Sequence, residues 1–215
     1  MKTLRRTFAI STALVLVNLI AVGQQISLNG RSSIDLIIGM WNESKAGNHI
    51  SLLGVKSEAR ASGFLGGLSY NRWLREYVAV TLSAGILSAE ATSTVGLPGT
   101  TQRATAVIPV LLGIKYYMPE PSLDETIRPY VSVGVGPYWG FEAENTTFSQ
   151  TAHTETAIGG RIGGGIDFLL GRSFKLGANL GYNVMSNFQT PVGARENFNG
   201  FDFSMALGLV FGGRD

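Results

Sequence analysis

The chain has 215 residues, a formal net charge of +2 and no cysteine. That is length enough for one domain. So small a charge, with no dense basic stripe, makes no case for a nucleic-acid partner. The missing thiols exclude disulfides, thiol catalysis and cysteine metal sites. Only 15% of the residues are charged, whereas 28 are glycine. A soluble domain usually has roughly a quarter charged residues. The glycines recur inside apolar alternating segments, where they would weaken an ordinary strand.

Met1 to Arg6 (MKTLRR) is basic, Thr7 to Val22 is apolar, and Ala21-Val22-Gly23 offers small residues for a signal peptidase. The apolar run is about 16 residues, short of the roughly 20 a spanning helix needs. Residues 1–23 are therefore expected to be a cleaved signal peptide, and residues 24–215 one domain. No later run is long enough to span a membrane as a helix, so a mature chain in a membrane must cross as strands.

Segments with period two follow, and a strand turns successive side chains to opposite faces. The first, Ser33 to Asn42, sets Ile34, Leu36, Ile38 and Met40 against Asp35 and Gly39. A polar stretch to about Ser57 precedes the second, with Phe64, Leu68 and Tyr70 on one face. A short turn, Asn71 to Glu76, leads to the third, where Val78, Val80, Leu82, Ala84 and Ile86 oppose Ala79, Thr81, Ser83 and Gly85. Ser88 to Arg103 reads as a long loop. The fourth, Ala104 to Met118, sets Ile108, Val110, Leu112, Ile114 and Tyr116 against Pro109, Gly113 and Lys115. Pro119 to Arg128 is a two-proline connection.

The fifth, Pro129 to Glu142, has Val131, Val133, Val135, Trp139 and Phe141 opposite Ser132, Gly134, Gly136 and Gly140. A polar loop from Ala143 to about Thr154 leads to the sixth, Thr156 to Leu170. There Ile158, Ile162, Ile166 and Phe168 oppose Gly159, Arg161, Gly163, Gly165 and Asp167. After Gly171-Arg172-Ser173, the seventh alternates Phe174, Leu176, Ala178, Leu180 and Tyr182 with Lys175, Gly177, Asn179, Gly181 and Asn183. A loop from Ser186 to Asn199 precedes the eighth, Gly200 to Gly212. Phe201, Phe203, Met205, Leu207, Leu209 and Phe211 form its greasy face, and Asp202, Ser204, Ala206, Gly208 and Val210 its slim face.

Eight strands with long and short connections in strict alternation predict an all-β fold: an eight-stranded antiparallel transmembrane β-barrel. Its short turns are expected on the periplasmic side and its four longer loops outside the cell. The rival is a soluble ligand-binding barrel with its apolar face inward. A face of Gly, Ser, Ala and Thr would make a poor solvent surface, whereas an eight-stranded interior has room only for side chains. Lipid is therefore expected outside. Tyr70, Trp73, Tyr77, Tyr116, Tyr117, Tyr130 and Phe174 lie near the short turns, and Trp41, Trp139, Phe141, Tyr182 and Phe201 near the long loops. They read as two interfacial girdles.

Four stretches carry a resemblance: PVLLGIKYY (109–117), RPYVSVGVGPY (128–138), GGGIDFLLG (163–171) and FDFSMALGLVF (201–211). In these the chain resembles the small outer-membrane β-barrel proteins of the OmpA/OmpX/OmpW type, over essentially the whole mature length. The resemblance implies an outer-membrane location, insertion by the barrel-assembly machinery and contact with outer-membrane lipids. Family members usually end on an aromatic residue. Here Gly212-Gly213-Arg214-Asp215 follow Phe211, a departure from the usual assembly signal.

The inward face should carry Asp35, Lys115, Arg161, Asp167, Lys175 and Asp202, three of each sign. Confined charges must be paired, so these six are expected to form a polar network that plugs the lumen. The resemblance also extends to lipid-modifying barrels with a His-x-Ser-Asn motif, but this chain has Val184-Met185-Ser186-Asn187, with valine in place of the base. His49 and His153 fall in long loops. The expectation is a monomeric barrel, not an enzyme and without a cofactor. Its role would be structural, or surface interaction with an extracellular ligand through the long loops. A narrow channel for small solutes is the alternative.

Overall fold

The computed structural model describes residues 27–43, 62–96, 99–119, 126–145, 150–193 and 195–213. The expected signal peptide and the first long connection lie outside them. The described residues form nine strands: β1 (Arg31–Glu43), β2 (Ser62–Arg75), β3 (Val78–Ile86), β4 (Ser88–Gly96), β5 (Gly99–Tyr117), β6 (Ile127–Asn145), β7 (Gln150–Leu170), β8 (Phe174–Met185) and β9 (Gly200–Gly212). Hydrogen-bonded neighbours run β3-β2-β1-β9-β8-β7-β6-β5-β4, and β3 also pairs with β5, which closes the sheet on itself.

β3 and β4 are two halves of one stave. Their register against β5 shifts from Ala84↔Val110 to Ser88↔Val107, so three residues face two across a β-bulge. Pro109, which has no N–H to donate, stands on the partner strand at this break. The wall therefore has eight staves, as the sequence predicts.

Stepping through ladder partners from Ser32 leads to Arg72, Val80, Ile114, Val133, Ile162, Tyr182 and Phe201, then back to β1 at Asn42. The path returns ten residues from its start (42 − 32). Eight strands with that stagger tilt by about 40° and enclose a lumen just wide enough for side chains.

The faces separate as the period-two pattern requires. Ile34, Leu36, Ile38 and Met40 point outward, as do all six greasy residues of β9, every one of them exposed. Such a band is stable only against hydrocarbon. β5, β6 and β7 run 19, 19 and 21 residues, whereas about 10 suffice to cross a bilayer. Their upper parts rise past the apolar band as hairpins: Ser88–Gly96 pairs with Gly99–Val107, and β6 and β7 stay paired to Asn145↔Gln150. Most of the stretches 88–103 and 143–154, which read as loops, are thus paired strand. Their Thr and Val residues favour strand, and above the membrane they need no apolar face.

Four of the expected girdle aromatics are not in a girdle. Trp41, Trp73, Tyr117 and Tyr130 are buried inside the barrel. Position along the strand decides this: Trp41 shares its face with Gly39, Trp73 with Asn71, Tyr117 with Lys115, and Tyr130 with Ser132. Tyr70, Tyr77, Tyr116 and Phe174 do lie outside near the short-turn rim, and Phe141 and Phe201 near the other.

Candidate functional site: the barrel lumen

All six charged residues expected on the inner wall are there, between two apolar layers. On the short-turn side, Lys175 Nζ lies 2.9 Å from Asp35 Oδ2 and 3.1 Å from Asp167 Oδ2. Asp35 also accepts from Ser33 Oγ at 2.9 Å and Asn71 Nδ2 at 2.7 Å. Asp167 accepts from the Tyr117 hydroxyl at 2.8 Å. Two carboxylates thus share one ammonium. Lys115 is the exception among the six: its Nζ lies 4.6 Å above the Tyr130 ring, and among the described residues it forms no ion pair.

Nearer the long loops, Arg161 makes a two-pronged contact with Asp202, Nε to Oδ2 at 2.8 Å and Nη2 to Oδ1 at 2.5 Å. Asn179 Oδ1 accepts from the same Nη2 at 2.7 Å, and Asn183 Nδ2 donates to Asp202 at 2.7 Å. Asn183 in turn accepts from the Tyr138 hydroxyl at 3.0 Å.

Slim neighbours make room for these long side chains. A Cβ on Gly181 would stand within 2.6 Å of the Arg161 guanidinium, and one on Gly208 within 2.8 Å of both Asp35 and Lys175. Buried charges lose their hydration, so such a network is tolerable only when each member is paired and hydrogen-bonded.

Below the belt, Trp73, Ala79, Tyr117, Tyr130, Leu169 and Val210 pack with Leu28, a residue from outside the wall. Leu28 belongs to a short strap, residues 27–30, which crosses the short-turn mouth. Gly30 N donates to Trp73 O at 3.1 Å, Leu28 N to Glu76 Oε2 at 3.0 Å, and Ser27 Oγ to Glu76 Oε2 at 2.8 Å. Arg128 Nη1 completes the latch at 2.7 Å from Glu76 Oε1. Burial alone would raise the Glu76 pKa. The Arg128, Ser27 and Leu28 contacts outweigh it and hold the carboxyl below its ordinary value.

Above the belt, the segment between β8 and β9 folds back into the barrel. Its Phe188, Val192 and Phe198 are buried against Trp41, Leu87, Val107, Leu111, Tyr138, Ala157 and Met185 of the wall. A tight reversal pairs Val192 with Arg195, and Gly193 supplies the left-handed φ of 60° that the turn needs. Glu142 Oε2 accepts from Gly193 N at 2.8 Å, and Asn199 Oδ1 from Met185 N at 2.7 Å, tying the segment to the wall. The Arg195 guanidinium lies 5.8 Å from the Trp41 ring and 5.2 Å from the Phe198 ring.

Beside the Arg161–Asp202 pair is a partly open cavity of about 100 Å³, with Gly66, Gly67, Leu68, Gly85 and Ile86 on one side and Arg161, Asn183, Asp202 and Ser204 on the other. Sequence reasoning found the charges but not the apolar layers. Strand position already carries the inward Trp41, Trp73, Tyr117 and Tyr130. Nothing periodic marks Leu28, Phe188, Val192 or Phe198.

A closed barrel with lipid-compatible residues outside and paired charges within is an integral membrane protein that crosses by strands. Residues 12–212 match the outer membrane protein beta-barrel domain, and the chain belongs to that family of outer-membrane proteins. Its short turns are accordingly periplasmic and its long connections extracellular. No curated protein matches the chain.

Among solved structures it is similar to Ail, the attachment invasion locus protein of Yersinia pestis, in complex with the heparin analogue sucrose octasulfate. The identity is 16%, over 85% of this chain and 99% of that one, with a TM-score of 0.52. It is also similar to the outer membrane protein OprG of Pseudomonas aeruginosa, at 15% identity over 88% and 99%, with a TM-score of 0.51. At such identities the likeness shows the fold alone.

Proposed function

We propose that this protein is a closed, monomeric outer-membrane barrel with a structural or surface-interaction role, exported through a cleaved signal at residues 1–23. One observation carries the reading: each mouth is filled by apolar side chains, below by wall residues capped by Leu28 and above by Phe188, Val192 and Phe198 from outside the wall. The tall paired hairpins β4–β5 and β6–β7 present strand backbone outside the cell, where an extracellular ligand would be met. Ser186 Oγ accepts from the Ile158 amide at 3.3 Å, and among the described residues no histidine bonds to it. His153 instead lies 2.9 Å from Glu155.

The cavity beside Arg161 and Asp202 favours a second reading, a narrow conduit closed in this state. Planar bilayers distinguish the two. The purified protein should leave them silent, and discrete, reproducible conductance steps would establish the conduit instead. Membrane residence has its own test. Phe203→Arg on the lipid face should cost about 2–4 kcal/mol near the midplane, measured by urea unfolding in liposomes.

A further inference from the structure

The outer wall carries a polar cluster where the apolar band meets the periplasmic rim. Ser32 shares the outward face of β1 with Ile34, and its ladder partners are Arg72 on β2 and Phe211 on β9. Arg72 Nη1 donates to Ser32 Oγ at 3.1 Å, and Ser32 Oγ lies 3.0 Å from the Tyr70 hydroxyl. Ser32 is only 2% exposed beneath these two side chains, whereas Arg72 remains open to the surroundings. Its guanidinium is thus positioned by a neutral hydroxyl. Among the described residues no carboxylate forms an ion pair with Arg72 or with its exposed neighbour Arg75.

We propose that Arg72, with Tyr70 and Ser32, is a binding site for the phosphate of a phospholipid in the periplasmic leaflet. A planar guanidinium with one edge held leaves N–H donors free to grip two phosphate oxygens at once. A positive charge beside hydrocarbon is costly unless an anion meets it. The flanking surface is greasy: Leu74, Tyr77 and Phe211 are 57%, 45% and 44% exposed. That combination fits an amphiphile, with phosphate at the arginine and acyl chains along the neighbouring apolar surface, better than a free inorganic anion. The site rests on the membrane reading above.

Native mass spectrometry of the full chain, with phosphatidylglycerol added in detergent, tests it. The wild type should retain the lipid, and Arg72→Gln should lower its affinity about tenfold, equivalent to one lost charge-assisted hydrogen bond. Arg172→Gln, at another exposed arginine of the same rim, should retain it. Heat-modifiable gel mobility verifies that each variant is folded. Digalactosyldiacylglycerol, which has acyl chains and no phosphate, and inorganic phosphate alone should both bind at least about tenfold more weakly. Equal retention by Arg72→Gln, or equal binding of either control ligand, overturns the site. Insertion into phospholipid nanodiscs is scored separately. Failure to insert overturns the membrane reading and the site with it, whereas insertion with unchanged retention overturns the site alone.

Discussion

The two ends of the lumen are closed in different ways. At the periplasmic end the stopper is mostly wall: Trp73, Ala79, Tyr117, Tyr130, Leu169 and Val210 are strand residues, and one strap residue, Leu28, caps them. At the extracellular end three loop residues, Phe188, Val192 and Phe198, fill a cup of wall side chains. The first closure is inseparable from the barrel. The second hangs on few wall bonds: the segment 186–199 bonds mainly to itself, at Val192↔Arg195 and Phe188 N to Glu196 O, and meets the wall backbone at Ser186 N to Ile158 O. One end is thus filled by wall side chains and the other by a connecting segment.

The largest expected effect lies in the belt beneath the wall-built closure. Lys175→Met leaves Asp35 and Asp167 facing each other without their shared ammonium. It should destabilise the barrel by about 3–5 kcal/mol, as breaking a buried pair does, read by urea unfolding in liposomes. A loss below about 1 kcal/mol would mean the belt does not support that end.

Next come the closures themselves. Trp73→Ala should cost about 3–5 kcal/mol in global stability. Phe198→Ala should fall at or below about 3 kcal/mol, because its loop can resettle. Each variant alone should remain silent in planar bilayers, since the two seals act in series. Conductance should appear only when Trp73→Ala is combined with removal of residues 187–198.

The smallest effect is at the strap. The folded Glu76 pKa is lowered, so its contribution is present above the ordinary glutamate range and fades as pH falls through the lowered value. Glu76→Gln should therefore shift the urea midpoint at neutral pH and converge with the wild type in acid. A difference independent of pH would assign the latch to packing.

The same contrast explains what was legible in the sequence. The staves and their lipid face could be read because burial in a barrel wall has period two, and the six inward charges followed from strand position. Trp41, Trp73, Tyr117 and Tyr130 were readable by that rule too. Placing them by nearness to strand ends put them on the wrong side of the wall. Pairing partners were not legible, because Lys175 meets Asp35 across Gly208, which pairs with both only once β9 closes on β1. The extracellular stopper left no trace, since Phe188, Val192 and Phe198 sit in an aperiodic segment. Past Phe211, Gly212 still pairs with Arg31, whose Nε donates to the Gly212 carbonyl at 3.0 Å.

The central claim is that the middle of the lumen is shut off from water on both sides. The chain has no cysteine, so one introduced thiol reports without background. Ser204, 2% exposed beside the cavity, is the position to use. In liposomes, Ser204→Cys in the folded barrel should resist a small charged thiol reagent from either side, and should react once unfolded in urea. Ser186→Cys and Ser173→Cys, exposed at the two rims, should react at once. Rapid labelling of folded Ser204→Cys would contradict a sealed lumen.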